Sequence, residues 1–173
     1  MPAKTSKVIS QKIETVPLII EELTIKNKES LQTIIVEELW KIENGLSVIG
    51  CEVPADERVI DILCHDQNGL LVLIMLAVNE DDKMLFEGLQ TLNEVNHIRQ
   101  MLKYFNKEKK INEKEPARLV FVAPSFSTNF LTIASGISNV KVSLYEWEYL
   151  QFGENAALRM TQVSLSEAFK NRK

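Results

Sequence analysis

Residues 57–77 of this chain read ERVIDILCHDQNGLLVLIMLA, and this stretch decides the fold. The apolar runs on either side of Gln67, Asn68 and Gly69 predict two β-strands, because these three residues supply the positive φ angles that a tight hairpin requires. The first strand carries one acid, Asp61, among apolar residues, whereas residues 70–78 carry no polar side chain at all. A strand that is apolar on both faces is typical of the centre of a sheet that is covered on two sides.

Further helices and strands surround this hairpin. Apolar periodicity predicts helices over residues 27–44, 84–105 and 125–137, and strands over residues 46–53, 118–123 and 140–150. Three consecutive strands followed by a crossover helix imply a mixed sheet with helices on both faces. The predicted fold class is therefore a single-domain α/β sandwich with the order α-β-β-β-α-β-α-β.

The length of 173 residues fits one domain with short extensions. We assign residues 27–150 to the α/β core. Residues 1–26 form an N-terminal arm, in which Pro17 could begin a short helix. Residues 151–173 form a C-terminal tail that could end in a marginal helix.

Composition narrows the classes of function and partner. The formal net charge of −4 argues weakly against broad, non-specific binding to nucleic acid, which depends on clustered Lys and Arg. The longest apolar run, residues 70–78, is far shorter than the ~20 residues that a membrane helix needs. The first ten residues, MPAKTSKVIS, contain no apolar signal core. We therefore expect a cytoplasmic protein with no membrane partner.

The two cysteines, Cys51 and Cys64, have a spacing that matches no zinc or redox motif. They fall on adjacent predicted strands, so a disulfide remains open as an alternative. We favour buried free thiols, which are usual in cytosolic proteins.

The element order, with an acid in the middle strand of the meander, resembles the PD-(D/E)XK, or restriction-endonuclease-like, superfamily of nucleases over residues 27–150. The resemblance implies that a helix Glu, a strand Asp and a Glu-x-Lys on the next strand meet at one end of the sheet. The carboxylates there would bind a divalent cation that activates water. By this resemblance Glu38, or alternatively Glu37, takes the position of the helix acid, and Asp61 takes that of the strand Asp.

The Glu-x-Lys pair of that superfamily has no counterpart in this sequence. The positions that match best are Met75, Leu76 and Ala77, and no charged residue lies within residues 70–78. We therefore expect a degenerate, catalytically inactive nuclease-fold domain that serves as a binding or assembly module and holds no metal cofactor.

An alternative hypothesis is a divergent Mg²⁺-dependent nuclease that uses Glu38, Asp61 and Glu80, with Lys83 near the attacking water. Glu80 follows the strand, and two further strand residues place a side chain roughly 7 Å along the sheet. Gln90 resembles the helix glutamine of some nuclease branches, although a glutamine on an amphipathic helix is more often a boundary residue.

Asp61 also has a purely structural interpretation. A buried carboxylate is costly unless it is paired, and Arg58 and Lys41 are the partners that the sequence offers.

The sequence names no biological partner, and a homodimer is one arrangement that fits. The alternating aromatic residues of the last predicted strand, Tyr145, Trp147 and Tyr149, favour core or subunit contact over base stacking.

Overall fold

The predicted hairpin lies in a seven-stranded mixed sheet in a computed structural model that describes residues 19–165. The strands are β1 (Ile20–Leu23), β2 (Ser47–Ala55), β3 (Arg58–His65), β4 (Leu71–Leu76), β5 (Arg118–Ala123), β6 (Val142–Phe152) and β7 (Asn155–Val163). The α-helices are α1 (Lys28–Glu37), α2 (Lys83–Phe105) and α3 (Thr128–Gly136), and a 3₁₀ turn spans Leu39–Lys41.

The sheet order is β1-β6-β5-β4-β3-β2, with β7 also paired to β6. Strands β2, β3 and β4 form the predicted antiparallel meander, and β4, β5 and β6 run parallel to one another. Parallel neighbours need a crossover, and α2 and α3 supply the two that this topology requires. The predicted mixed α/β fold with helices on both faces is therefore confirmed.

Two hydrophobic clusters cover the two faces of the sheet. One cluster contains residues of α2 and α3, such as Leu92 and Phe130, and the other contains Leu31 and Ile35 of α1. Every residue of β4 and of β5 is buried. The uncharged run predicted to be a central strand is therefore covered on both sides, as its composition requires.

The predicted helical tail is wrong for the part of it that the structure describes. Residues 155–163 form strand β7, which pairs antiparallel with β6 from Leu144↔Val163 to Phe152↔Asn155. Gly153 adopts a φ of 61°, so the chain reverses within two residues and returns along β6. Pairing with β6 stabilises this segment as a strand through backbone hydrogen bonds. A short isolated helix, by contrast, is only marginally stable in water. Residues 166–173 lie outside the described part.

The N-terminal arm is also a strand where it is described, because Ile20–Leu23 pairs antiparallel with the end of β6. Pro17 lies outside the described residues. The helix predicted over residues 27–44 begins at Lys28, with Asn27 as its cap, because the Asn27 Oδ1 accepts the Ser30 N–H at 2.8 Å. This helix ends at Glu37, since the next residue has a non-helical φ of −118°.

The aromatic residues of β6 pack in the α1-side cluster, in agreement with the core interpretation. The Trp147 Nε1–H donates to the Ala77 carbonyl at 3.0 Å, and the Tyr145 hydroxyl donates to the Ile42 carbonyl at 2.9 Å. In the described part of the chain, none of the helices combines the length and apolar character that crossing a bilayer requires.

Cys51 and Cys64 are free thiols, so the alternative of a disulfide is not realised in this structure. Cys51 is exposed and Cys64 is buried. Burial raises the pKa of Cys64 from its ordinary 9.0 to about 12. The Cys64 side chain therefore stays protonated in the folded state at pH values where the unfolded chain would ionise it.

This pKa difference predicts a pH dependence of stability. The stabilisation from Cys64 is complete below the unfolded pKa of 9.0 and is lost as pH rises towards about 12. In urea denaturation at a series of pH values, we expect Cys64→Ala to lose less stability than the wild type over that range. Cys51→Ala, at the exposed thiol, is the control and should follow the wild type more closely. Parallel profiles for wild type and Cys64→Ala would contradict the prediction.

Candidate functional site

Asp61 lies where the pairing of β3 and β4 ends. The last paired residues on that side are Ile62 and Ile74, and beyond them the Asp61 side chain takes the place of a ladder carbonyl. Its Oδ2 accepts the Leu76 N–H at 2.7 Å. The residue is only 6% exposed, so its carboxylate is a buried hydrogen-bond acceptor at the end of the central strand.

The first turn of α1 contacts the same carboxylate. The Lys28 Nζ lies 3.1 Å from Oδ1 and 3.2 Å from Oδ2 of Asp61. One turn later, the Gln32 Nε2 donates to the Asp61 backbone carbonyl at 2.6 Å. The Lys28 side chain is 51% exposed and that of Asp61 is 8% exposed, so the ammonium closes the solvent side of the buried acid.

The partners that the sequence offered for Asp61 are engaged elsewhere. Arg58 donates to the Gln90 side-chain oxygen on α2. Lys41 pairs with Glu38 and donates to the Leu158 carbonyl. The expectation of Arg58 or Lys41 is therefore wrong. Arg58 reaches α2, and Lys41 lies beyond the end of α1, whereas the start of α1 packs against Asp61.

The structure does not bring Glu38 to Asp61. Glu38 caps the C-terminal end of α1, whereas Lys28 at the other end makes the contact. At 1.5 Å per residue, the ten residues of α1 separate these ends by roughly 15 Å. Apolar periodicity identifies which face of a helix is buried but not which end meets a given strand residue, so the sequence could not settle this point.

Met75 and Ala77 lie in the hydrophobic cluster beneath α2, with exposures of 6% and 7%. Met75 also lines a cavity of about 460 Å³ between β3 and α2, together with Arg58, Phe86 and Gln90. These two positions contribute apolar packing on the α2 side, while the Asp61 carboxylate contacts α1.

The other residues of the alternative site have local partners. The Ser125 hydroxyl donates to the Glu80 Oε2 at 3.0 Å, which ties Glu80 to the loop after β5. Lys83 is the first residue of α2, and its N–H donates to the Asp81 Oδ1 at 2.9 Å.

A divalent cation, which the resemblance implies, does not fit the residues that are present. Within residues 19–165, no group of three His, Cys, Asp or Glu side chains is arranged to hold a metal ion. The buried carboxylate of Asp61 has its oxygens engaged by an ammonium and a backbone N–H.

Lys28 is the residue of this site that sequence reasoning missed. The available signal was a lysine in the first turn of a helix, where the helix dipole disfavours a cation. That signal does not identify the partner of the lysine, which lies 33 residues further along the chain.

A comparison with known protein families identifies the family of this chain. The model of the endonuclease NucS C-terminal domain matches residues 27–142, which is more than half of the chain. The chain belongs to the NucS C-terminal domain family. This membership agrees with the predicted resemblance at the level of a nuclease-related domain. A search of curated protein sequences returns no match.

Solved structures of a repair endonuclease and of EndoMS are also similar to this chain. A repair endonuclease from Pyrococcus abyssi is 20% identical with a TM-score of 0.46, covering 70% of this chain and 48% of its own. EndoMS in a complex with double-stranded DNA is 18% identical with a TM-score of 0.46, and the match covers 73% of this chain and 47% of the EndoMS chain. EndoMS in its apo form is 16% identical with a TM-score of 0.42, and the match covers 69% of this chain and 46% of the EndoMS chain. The chain thus spans about half the length of these proteins.

Proposed function

We propose that this NucS C-terminal-type domain does not cleave phosphodiester bonds and serves as a binding or assembly module. The observation that carries the proposal is the absence of any charged side chain from residues 70–78, on either face of β4. This run includes Met75 and Ala77, the positions at which the resemblance calls for an acid and an amine. Both side chains are buried in the cluster beneath α2.

The chemistry of metal-dependent hydrolysis supports this proposal. Such a reaction needs a cation that activates water and stabilises the charge on the phosphate. Mg²⁺ binds oxygen ligands in near-octahedral geometry, through carboxylates and water. The Asp61 carboxylate lies beside the end of the central strand, and it is already paired with Lys28. Among residues 19–165, no group of three carboxylate, histidine or cysteine side chains is arranged to hold a metal ion. The lysine beside Asp61, Lys28, is engaged in an ion pair with that acid instead of being free to assist a nucleophile.

Nucleic acid is the first ligand class to test for such a module, because the family is named for an endonuclease. The net charge of −4 favours a local contact over broad electrostatic binding. A second copy of the chain is the other candidate partner.

Free thiols at Cys51 and Cys64 support a cytoplasmic location, where thiols stay reduced.

The proposal predicts no cleavage in a plasmid-nicking assay with Mg²⁺ or Mn²⁺. We expect the wild type and Asp61→Asn to give the same nicked fraction as buffer alone, beside an active nuclease as the positive control. Nicking by the wild type that is lost in Asp61→Asn would refute the proposal. That result would favour the second candidate, a divergent Mg²⁺-dependent nuclease with Glu38, Asp61, Glu80 and Lys83.

Two measurements separate the two kinds of partner. A gel shift over a range of salt concentrations detects nucleic-acid binding, which weakens steeply as salt rises when phosphate contacts carry it. Light scattering of the free domain detects self-association through its mass.

A further inference from the structure

In the contact between Lys28 and Asp61, the ammonium lies against the carboxylate in the way that a bound cation would. One ammonium nitrogen lies within 3.2 Å of both oxygens of a single, almost fully buried carboxylate. A buried carboxylate needs a counter-charge, because its loss of hydration is otherwise uncompensated. The Leu76 N–H supplies a hydrogen bond but no full charge. Lys28 is therefore the group that neutralises Asp61.

The position of Lys28 in α1 is unfavourable for the helix itself. The N-terminal end of a helix carries a partial positive charge, which favours acids and disfavours a lysine in the first turn. Lys28 is the first residue of α1. One turn later, the side chain of Gln32 donates a hydrogen bond to the backbone carbonyl of Asp61. Pairing with Asp61 explains a lysine at this point, where the helix dipole would favour an acid.

We infer that the Lys28 ammonium is an internal cation that occupies the place beside Asp61 where a divalent cation would otherwise bind. This inference rests on the proposed function, since it names the feature that keeps metal out of the same site. It follows that Lys28 keeps Mg²⁺ and Mn²⁺ away from the Asp61 carboxylate, in addition to the lack of ligands on β4. An acid at position 28 would leave two carboxylates beside each other, which is enough to hold Mg²⁺ or Mn²⁺ with water as the remaining ligands.

The test uses MnCl₂ as the probe with the wild type, Lys28→Glu and the matched control Lys26→Glu, which makes the same charge change two residues earlier. Calorimetric titration should show one Mn²⁺ bound per chain in Lys28→Glu and no stoichiometric binding in the other two. At a Mn²⁺ concentration ten times its Kd, the melting temperature of Lys28→Glu should rise by about 3–6 °C relative to the control.

Stoichiometric Mn²⁺ binding by the wild type that Asp61→Asn abolishes would overturn the inference. So would a folded Lys28→Glu variant that responds to Mn²⁺ no more than Lys26→Glu does. Both results would leave the absence of cleavage standing, because nicking is measured separately on the wild type.

Lys28→Gln provides the answer if Lys28→Glu does not fold. It removes the ammonium and adds no negative charge. Its melting temperature should fall below that of Lys26→Gln, and Mn²⁺ should restore part of the difference. If Mn²⁺ did not change the melting temperature of Lys28→Gln, the inference would be overturned in that case.

Discussion

Asp61→Ala should lower the free energy of unfolding by about 3 kcal/mol. The substitution leaves the Leu76 N–H, which Asp61 accepts at 2.7 Å, without its buried acceptor, at a cost of ~1–3 kcal/mol. It also removes the partner of Lys28, a smaller loss because the Lys28 side chain is half exposed and can reach water. Urea denaturation monitored by circular dichroism would measure the change.

Two controls separate the structural role of Asp61 from a general effect of losing an acid. Asp61→Asn keeps an oxygen for the Leu76 N–H and should cost less than Asp61→Ala. Glu57→Ala removes an exposed acid just before β3 and should cost little. If Asp61→Ala proved no more damaging than Glu57→Ala, Asp61 would not be the buried structural acceptor that the geometry implies.

Gly88→Ala should destabilise the domain by about 2 kcal/mol, although alanine is the better helix former by ~1 kcal/mol. A Cβ at Gly88 would lie 2.7 Å from two ring atoms of Phe121. That ring is fully buried and packs edge-on against Phe130 with centroids 5.4 Å apart, so it cannot move aside. Glycine therefore allows α2 to lie close against β5. Thermal and urea denaturation would measure the loss.

The clash explanation makes a sharper prediction in a double-mutant cycle. Phe121→Leu shortens the side chain that Gly88→Ala would strike, so the double variant should be more stable than the sum of the single effects. Gly136→Ala, at the end of α3 with no atom within 4 Å of the added Cβ, is the matched control and should cost little. Strict additivity of Gly88→Ala and Phe121→Leu would show that the ring contact is not the cause.

Much of the fold could be predicted because its signals are local. The hairpin, the uncharged strand β4 and the bounds of β5 all follow from turn residues and apolar runs within a few positions. Of the three predicted turn residues, Gly69 alone adopts a positive φ, of 82°. The strand β7 could not be predicted in this way. Its residues form a strand because β6 offers an edge to pair with, and that edge exists only once the sheet has formed.

The candidate site shows the same division. The absence of an acid and an amine at positions 75 and 77 is visible in the sequence, and so is the isolated acid at position 61. The sequence placed the helix acid at Glu38, near the wrong end of α1, because periodicity does not set the direction of packing. The cation that meets Asp61 lies 33 residues away, and its identity depends on where α1 begins above the sheet.

By itself, the sequence determined a central uncharged strand and a meander around it, because these depend on the apolar runs and turn propensities of neighbouring residues. The resulting order of elements resembles that of a nuclease superfamily. Only the tertiary structure decided that Lys28 neutralises Asp61, that Met75 and Ala77 pack beneath α2, and that the tail adds a strand. Those features depend on which distant surfaces come into contact when the apolar faces of the helices are buried against the sheet. Patterns within a few neighbouring residues do not specify these contacts.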